Sequence, residues 1–181
     1  MLEFALAVAP RESETSMSKW IFALALAAVT AFSNGPAQTS KTLVGTWKLE
    51  SATITTDKGE IRNSWGAHPI GFLTYTEDGR MSAILTLDDR KPLSVSDRIS
   101  APTNERAEAF ATMTAYAGRY TLTGIEVIHH VEAASMPNDV GTNLKRSVSL
   151  DGDRLVLLVA SPYLRGGIMV RSQELIWKRI K

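Results

Sequence analysis

From Leu43 onward, apolar and polar residues alternate with a period of two over short runs, and Gly, Pro, Asn or Asp interrupts each run. Successive side chains leave a strand on opposite faces, so this period marks β-strands with one buried face. The pattern predicts strands near 43–55, 60–65, 70–76, 79–87, 118–123, 125–134, 141–150, 153–160 and 168–179. Glu77-Asp78-Gly79, Thr123-Gly124 and Asp151-Gly152-Asp153 are short turns of the hairpin kind. Strands joined mainly by hairpins give an antiparallel up-and-down sheet, and closure removes the edges that would pair with other chains. The expected fold is all-β, a closed antiparallel barrel of about 8–10 strands.

One stretch departs from that period. In SAPTNERAEAFATMTAYAG, 100–118, Phe110, Met113, Thr114 and Ala117 recur at helical spacing. Ser100 or Thr103 can cap, Pro102 suits the first turn, and Gly118 suits a C-terminal stop. One inserted α-helix is therefore expected, packed on the sheet or across one end of the barrel. The segment 91–102 reads as the loop leading into it.

Upstream, MSKWIFALALAAVTAFSNGPA, 17–37, has a lysine, an apolar run from Trp20 to Phe32 and the small residues Gly35-Pro36-Ala37. This is the layout of a secretory signal. The run falls short of the roughly 20 residues that span a bilayer, so no stable membrane anchor is expected. The organisation predicted is an upstream extension, 1–16, with the true start at Met17, a signal peptide, 17–37, and a single barrel domain, 38–181, in the periplasm or secreted. With no cysteine, the chain has no disulfide framework, thiolate chemistry or lipid-modified cysteine. Lys+Arg 20 against Asp+Glu 19, with no basic run interleaved with aromatics, argues against a nucleic-acid partner.

Strand periodicity also sorts the candidate chemistry. The adjacent pair His129-His130 cannot hold one metal, because the two rings point apart, and no His-x-His spacing accompanies them. No metal and no cofactor is expected. His129 shares a row with Ile125, Val127 and Val131, whereas His130 lies with Glu126 and Glu132. Arg146 falls in the row Leu144, Val148, Leu150, and Arg171 and Gln173 fall in the row Met169, Leu175, Trp177. Tyr75 shares a row with Leu73 and Gly71. A buried charge needs a partner, a route to water or an anionic ligand. Tyr75, His129, Arg146, Arg171 and Gln173 are thus candidate ligand-binding residues on apolar walls, with His129 the candidate acid or base. Asp88-Asp89-Arg90 reads as a local salt-bridged turn, and Tyr116 and Tyr120 as packing at the helix-to-strand corner.

Leu43-Val44-Gly45-Thr46-Trp47 resembles the lipocalin signature, in which the tryptophan of Gly-x-Trp packs across the closed end of the barrel. The resemblance implies a late basic residue over the indole, here Arg179, with Lys178 its near neighbour. The wider series is similar to the bacterial and fungal lipocalin-like domain family over about residues 42–179: Gly71-Phe72-Leu73-Thr74-Tyr75 through Ala83, Asp89-Arg90, Tyr116-Ala117-Gly118-Arg119-Tyr120, His129-His130-Val131-Glu132, Pro137 with Gly141-Thr142, and Arg154-Leu155-Val156-Leu157. That family has no single common activity. Its association with secondary-metabolite pathways implies small organic ligands and, in some members, cyclase or isomerase work.

Two functions follow as expectations. The first is a lumen that binds a small hydrophobic or amphipathic molecule, with a carboxylate accommodated near Arg146 or Arg171. The alternative is a cofactor-free cyclase, isomerase or hydratase with His129 as general acid/base and Tyr75 or Arg146 at an enolate-like oxygen. No Gly-x-Ser-x-Gly occurs, and Gly166-Gly167 reads as a hairpin rather than a phosphate loop.

Overall fold

The computed structural model describes residues 43–181; the signal segment, the start at Met17 and the boundary at Gln38 lie outside the described residues. The elements are β1 Gly45–Thr56, β2 Ile61–Asn63, β3 Ile70–Tyr75, β4 Arg80–Thr86, α1 Thr103–Ala111, β5 Met113–Thr123, β6 Glu126–Ala134, a 3-10 turn Pro137–Asp139, β7 Asn143–Asp151, β8 Arg154–Val159, β9 Tyr163–Arg165 and β10 Ile168–Arg179. Hydrogen bonding runs β1-β3-β4-β5-β6-β7-β8-β10, and β10 pairs back onto β1, so these strands close a barrel. β2 pairs with Thr53–Thr55 of β1 and β9 with Ile168–Val170 of β10, at the same end. That loop end also receives α1 and the turn after β6. The opposite end is closed by the tight β3–β4, β5–β6 and β7–β8 connections.

Inward-facing Trp47, Leu49, Leu73, Leu155, Leu157 and Trp177 form one apolar core toward the closed end. Each such aliphatic side chain contributes roughly 1.5–3 kcal/mol when fully buried, so this end supplies much of the drive to fold. Inward-facing residues nearer the loop end, Tyr116, Leu144, Arg146 and Gln173, retain partial exposure. Exposure of the inward rows thus rises from the closed end toward the loop end.

The helix is shorter than its sequence pattern implies. It ends at Ala111, has Pro102 at its N-cap with no side-chain cap bond, and buries none of its residues. Met113, Thr114 and Ala117 belong to β5, where all three pair with β4 and Ala117 pairs with β6 as well. Gly118 is no helix stop. It sits mid-strand at a bulge, with Glu132 the extra residue of β6 between Val131 and Ala133, and a Cβ there would collide with the His130 carbonyl oxygen.

The Asp88-Asp89-Arg90 turn is not paired with itself either. Asp88 accepts the His68 amide at 2.9 Å, and Arg90 donates to Thr112 Oγ1 and the Ala109 carbonyl, both at 3.1 Å. Glu105 accepts from the amide and hydroxyl of Ser94, at 2.9 and 3.0 Å, so the long loop is stitched to α1 along its length.

Candidate functional site

Each polar side chain inside the barrel is positioned by its strand register. Tyr75 ends β3, Tyr116 lies in the first half of β5, His129 in the middle of β6 and Arg146 in β7 on the same inward row as Val148. His129 is fully buried and bridges two tyrosines. Its Nε2 lies 2.7 Å from the Tyr75 hydroxyl, and its Nδ1 lies 3.0 Å from the Tyr116 hydroxyl. Tyr120 packs edge-on against Tyr75 with ring centroids 4.7 Å apart and donates its hydroxyl to the Thr76 carbonyl at 3.1 Å.

The direction of these bonds follows from satisfaction. A neutral imidazole has one donor and one acceptor nitrogen. Tyr75 is sealed in the core, so were Nε2 protonated, the Tyr75 proton would lack an acceptor among the described residues, costing about 1–3 kcal/mol. We therefore assign Tyr75 as donor to Nε2 and Nδ1–H as donor to Tyr116, which leaves the Tyr116 proton available to the lumen.

Burial supplies most of the electrostatic character. It pushes His129 well below the usual histidine range, with the Arg146 charge and His130 acting in the same direction. The ring is therefore neutral at physiological pH. Burial raises Tyr75 well above the normal phenol range, and Tyr116 adds to this while Arg146 opposes it. Tyr116 is also raised by burial, against the opposing charge and hydrogen bonding of Arg146. The result is a neutral chain, Tyr75 to His129 to Tyr116, with a guanidinium at its accessible end. Both ring nitrogens are engaged, so His129 can act on a ligand only through Tyr116. The Tyr75 hydroxyl is likewise spent on His129.

A second polar group lies at the loop end. Tyr163 of β9 donates to Gln173 Oε1 at 3.2 Å, and Gln173 donates to Ser64 Oγ at 3.2 Å. Arg165 donates to the Ser64 carbonyl at 2.8 Å and stacks 4.5 Å over Trp65. These contacts tie the β9–β10 hairpin to the segment before β3.

Arg171 does not face the lumen. Thr55 pairs with Ser172 but Thr56 pairs with Val170, so Arg171 is the extra residue of a bulge and is exposed, while Gln173, Leu175 and Trp177 keep the inward face. A strict period of two carried through the bulge puts Arg171 on the wrong side. His130 faces outward, bonded to Thr121 Oγ1 at 3.1 Å and Asn143 Oδ1 at 2.7 Å. Tyr116, Tyr163, Trp65 and Arg165 are site residues that the sequence pattern did not single out. Extending the alternation Tyr116, Gly118, Tyr120, Leu122 backwards through β5 would have found the first of them.

At the closed end, Trp47 is fully buried and donates its indole N–H to the Leu43 carbonyl at 2.9 Å. Arg179 lies 4.0 Å over the ring and donates to the Val44 carbonyl at 2.6 Å. Gly45 has φ +132°, and a Cβ there would stand 2.7 Å from the Arg179 guanidinium. Two surface cavities, of about 310 and 620 Å³, are lined mainly by outward-facing residues, and neither is lined by His129.

Comparison with known proteins places these features in a family. The chain is 36% identical over 90 residues to a 4'-hydroxy-3'-methoxypropiophenone carrier protein of Aspergillus oryzae, covering 45% of this chain and 80% of that protein. Among solved structures it is similar to a lipocalin-like protein from Bacteroides uniformis, at 17% identity and TM-score 0.40 over 76% of this chain and 98% of that one. An uncharacterized protein from Bacteroides eggerthii matches at 11% identity and TM-score 0.40, over 76% and 99%. The profile of the lipocalin-like domain matches residues 44–180, nearly all of the described chain, and the protein belongs to the lipocalin-like domain family.

Proposed function

We propose that this barrel binds a small, largely apolar organic molecule inside the lumen, entering from the loop end, with its polar group against Tyr116 and Arg146. The observation that carries this is the buried chain Tyr75, His129, Tyr116, which delivers one free hydroxyl proton beside a guanidinium at the end of an apolar lumen. Apolar walls with a few fixed polar groups are how small-molecule sites gain both affinity and orientation. The Aspergillus relative, a carrier protein for 4'-hydroxy-3'-methoxypropiophenone, supports an aryl ketone as the kind of molecule to try first. The signal-like pattern at 17–37 supports a periplasmic or secreted location, testable by fractionating cells that express the full chain.

Calorimetric titration with 4'-hydroxy-3'-methoxypropiophenone, and with fatty acids and terpenoids in parallel, tests the binding reading. Saturable binding is expected, weakened about tenfold by Tyr116→Phe, the loss of a hydrogen bond to a polar ligand group. Binding that ignores Tyr116→Phe, or no saturable binding by any of these compounds, would sink it.

A second reading rests on the same hydroxyl–imidazole chain, which is also the arrangement of a proton shuttle. Isomerisation or cyclisation would then use Tyr116 as the acid and His129 as the group behind it. Protein-dependent exchange of the ketone's α-protons in deuterated water, followed by NMR, separates a shuttle from a carrier.

A further inference from the structure

We infer that the polar end of the lumen selects its ligand as an oxyanion, taking an acidic phenol, enol or carboxylic acid in its deprotonated form. This rests on the lumen-binding reading and adds the charge state of the bound molecule.

The interior supplies donors and positive charge without a matching acid. Every carboxylate on the barrel strands, Glu50, Glu126, Glu132, Asp151 and Glu174, is exposed on the outer face or at a strand end. Glu132 and Glu126 are occupied there with Arg80, Arg119 and Lys145. Arg146 sits half-buried in the inward row of β7, makes no ion pair among the described residues, donates to the Lys145 carbonyl at 2.9 Å and hydrogen-bonds the Tyr116 hydroxyl. A guanidinium drawn into an apolar lumen without a carboxylate is costly, and an anion beside it removes that cost.

The neighbouring hydroxyl is a donor too. With Nδ1–H given to Tyr116, the Tyr116 proton points away from His129 as a donor. The titratable and charged groups that act on Arg146 or Tyr116 are Tyr75 from β3, His129 from β6, Asp139 from the 3-10 turn and Tyr163 from β9, and Tyr120, His130 and Arg165 act in turn on Tyr75, His129 and Tyr163. Asp139 is the one carboxylate among them that acts on Tyr116, and it lies at the loop end rather than on the inward rows. An acidic ligand entering this environment loses its proton to solvent and receives hydrogen bonds from Tyr116 and Arg146. A neutral ether of the same shape finds the donors but leaves the charge unanswered.

The test uses a matched pair, 4'-hydroxy-3'-methoxypropiophenone and its 4'-methyl ether, on the intact protein at a pH below the free phenol's pKa, where the conjugated phenolate band is weak. The phenol should show the phenolate band on binding and bind at least about tenfold more tightly than the ether, equivalent to one unit of displaced ligand pKa. Arg146→Gln should abolish the band and bring the two affinities together, Arg146→Lys should keep the band, and exposed Arg171→Gln should change neither. Circular dichroism confirms that each variant is folded. A parallel arm with 4-phenylbutyrate and 4-phenylbutanol tells a carboxylate from a phenolate preference. A bound phenol that stays neutral, together with equal affinities in both pairs, overturns the oxyanion inference and leaves lumen binding standing. Failure of all four compounds to bind the folded protein overturns both.

Discussion

The barrel carries an arginine-on-tryptophan stack at each end, and the two are built differently. At the closed end Arg179 lies 4.0 Å over Trp47; at the loop end Arg165 lies 4.5 Å over Trp65. Trp47 belongs to the long strand β1, and Arg179 is locked by the Val44 carbonyl and by Asp153 at 3.6 Å. Trp65 lies in the segment between β2 and β3, and Arg165 belongs to the three-residue β9, which pairs only with the start of β10. Arg165 reaches a carbonyl but no carboxylate among the described residues. The same cation–π contact thus serves as a fixed plug where both partners sit on paired strands. Where both sit on short segments it is expected to act as a latch at the loop end.

Removing the rings should break this comparison most sharply. Trp47→Ala is expected to lower the unfolding free energy by about 3–5 kcal/mol in urea denaturation, because rigid strands cannot collapse around the void. Trp65→Ala should cost clearly less, since its segment can relax; equal losses would show the loop end to be as integral as the plug.

Next in size is the chain between the two ends. Tyr75→Phe strips the donor from His129 Nε2 and should cost about 1–3 kcal/mol, the penalty of an unsatisfied buried acceptor. Acid should attack the same point. His129 has its folded pKa depressed, so the unfolded chain binds a proton that the native state refuses. The stability it contributes is full above the ordinary histidine pKa, near 6.5, and is lost as the pH falls below that toward the folded value. The unfolding free energy between pH 7 and 5 should fall with a slope of up to about 1.4 kcal/mol per pH unit, and His129→Leu should flatten it. An unchanged slope in that variant would place the acid-sensitive group elsewhere.

The smallest equilibrium effect separates latch from plug. Arg165→Gln should move stability by no more than about 0.5 kcal/mol yet speed both arrival and departure of a lumen ligand in stopped flow. Arg179→Gln should do the reverse, costing stability with little change in ligand rates. Identical rates in wild type and Arg165→Gln would remove the latch.

Legibility followed the reach of each rule. Period-two alternation placed Val127, His129 and Val131 on one face of β6 and Leu144, Arg146 and Val148 on one face of β7, because within an unbroken strand the backbone alone decides the face. The rule failed at Arg171, the extra residue of a bulge where β10 pairs with β1. It failed again at Met113–Ala117, where a helical spacing of apolar residues coincided with a strand that needed β4 and β6 to form. Local pattern carries no information about what lies across the lumen. Tyr116 therefore read as packing at a corner, although it completes the histidine's hydrogen bonds.

The sequence by itself determined the all-β class, the hairpin order, the Gly45-Thr46-Trp47 plug with Arg179, and the inward face of His129. These depend on residues close in the chain or on a signature read directly from it. The tertiary structure decided the strand count of the closed wall, the exposure of Arg171, and the chain from Tyr75 through His129 to Tyr116. Those contacts join β3, β5 and β6, separated by as many as 54 residues, and they exist only once closure brings opposite walls within hydrogen-bonding distance.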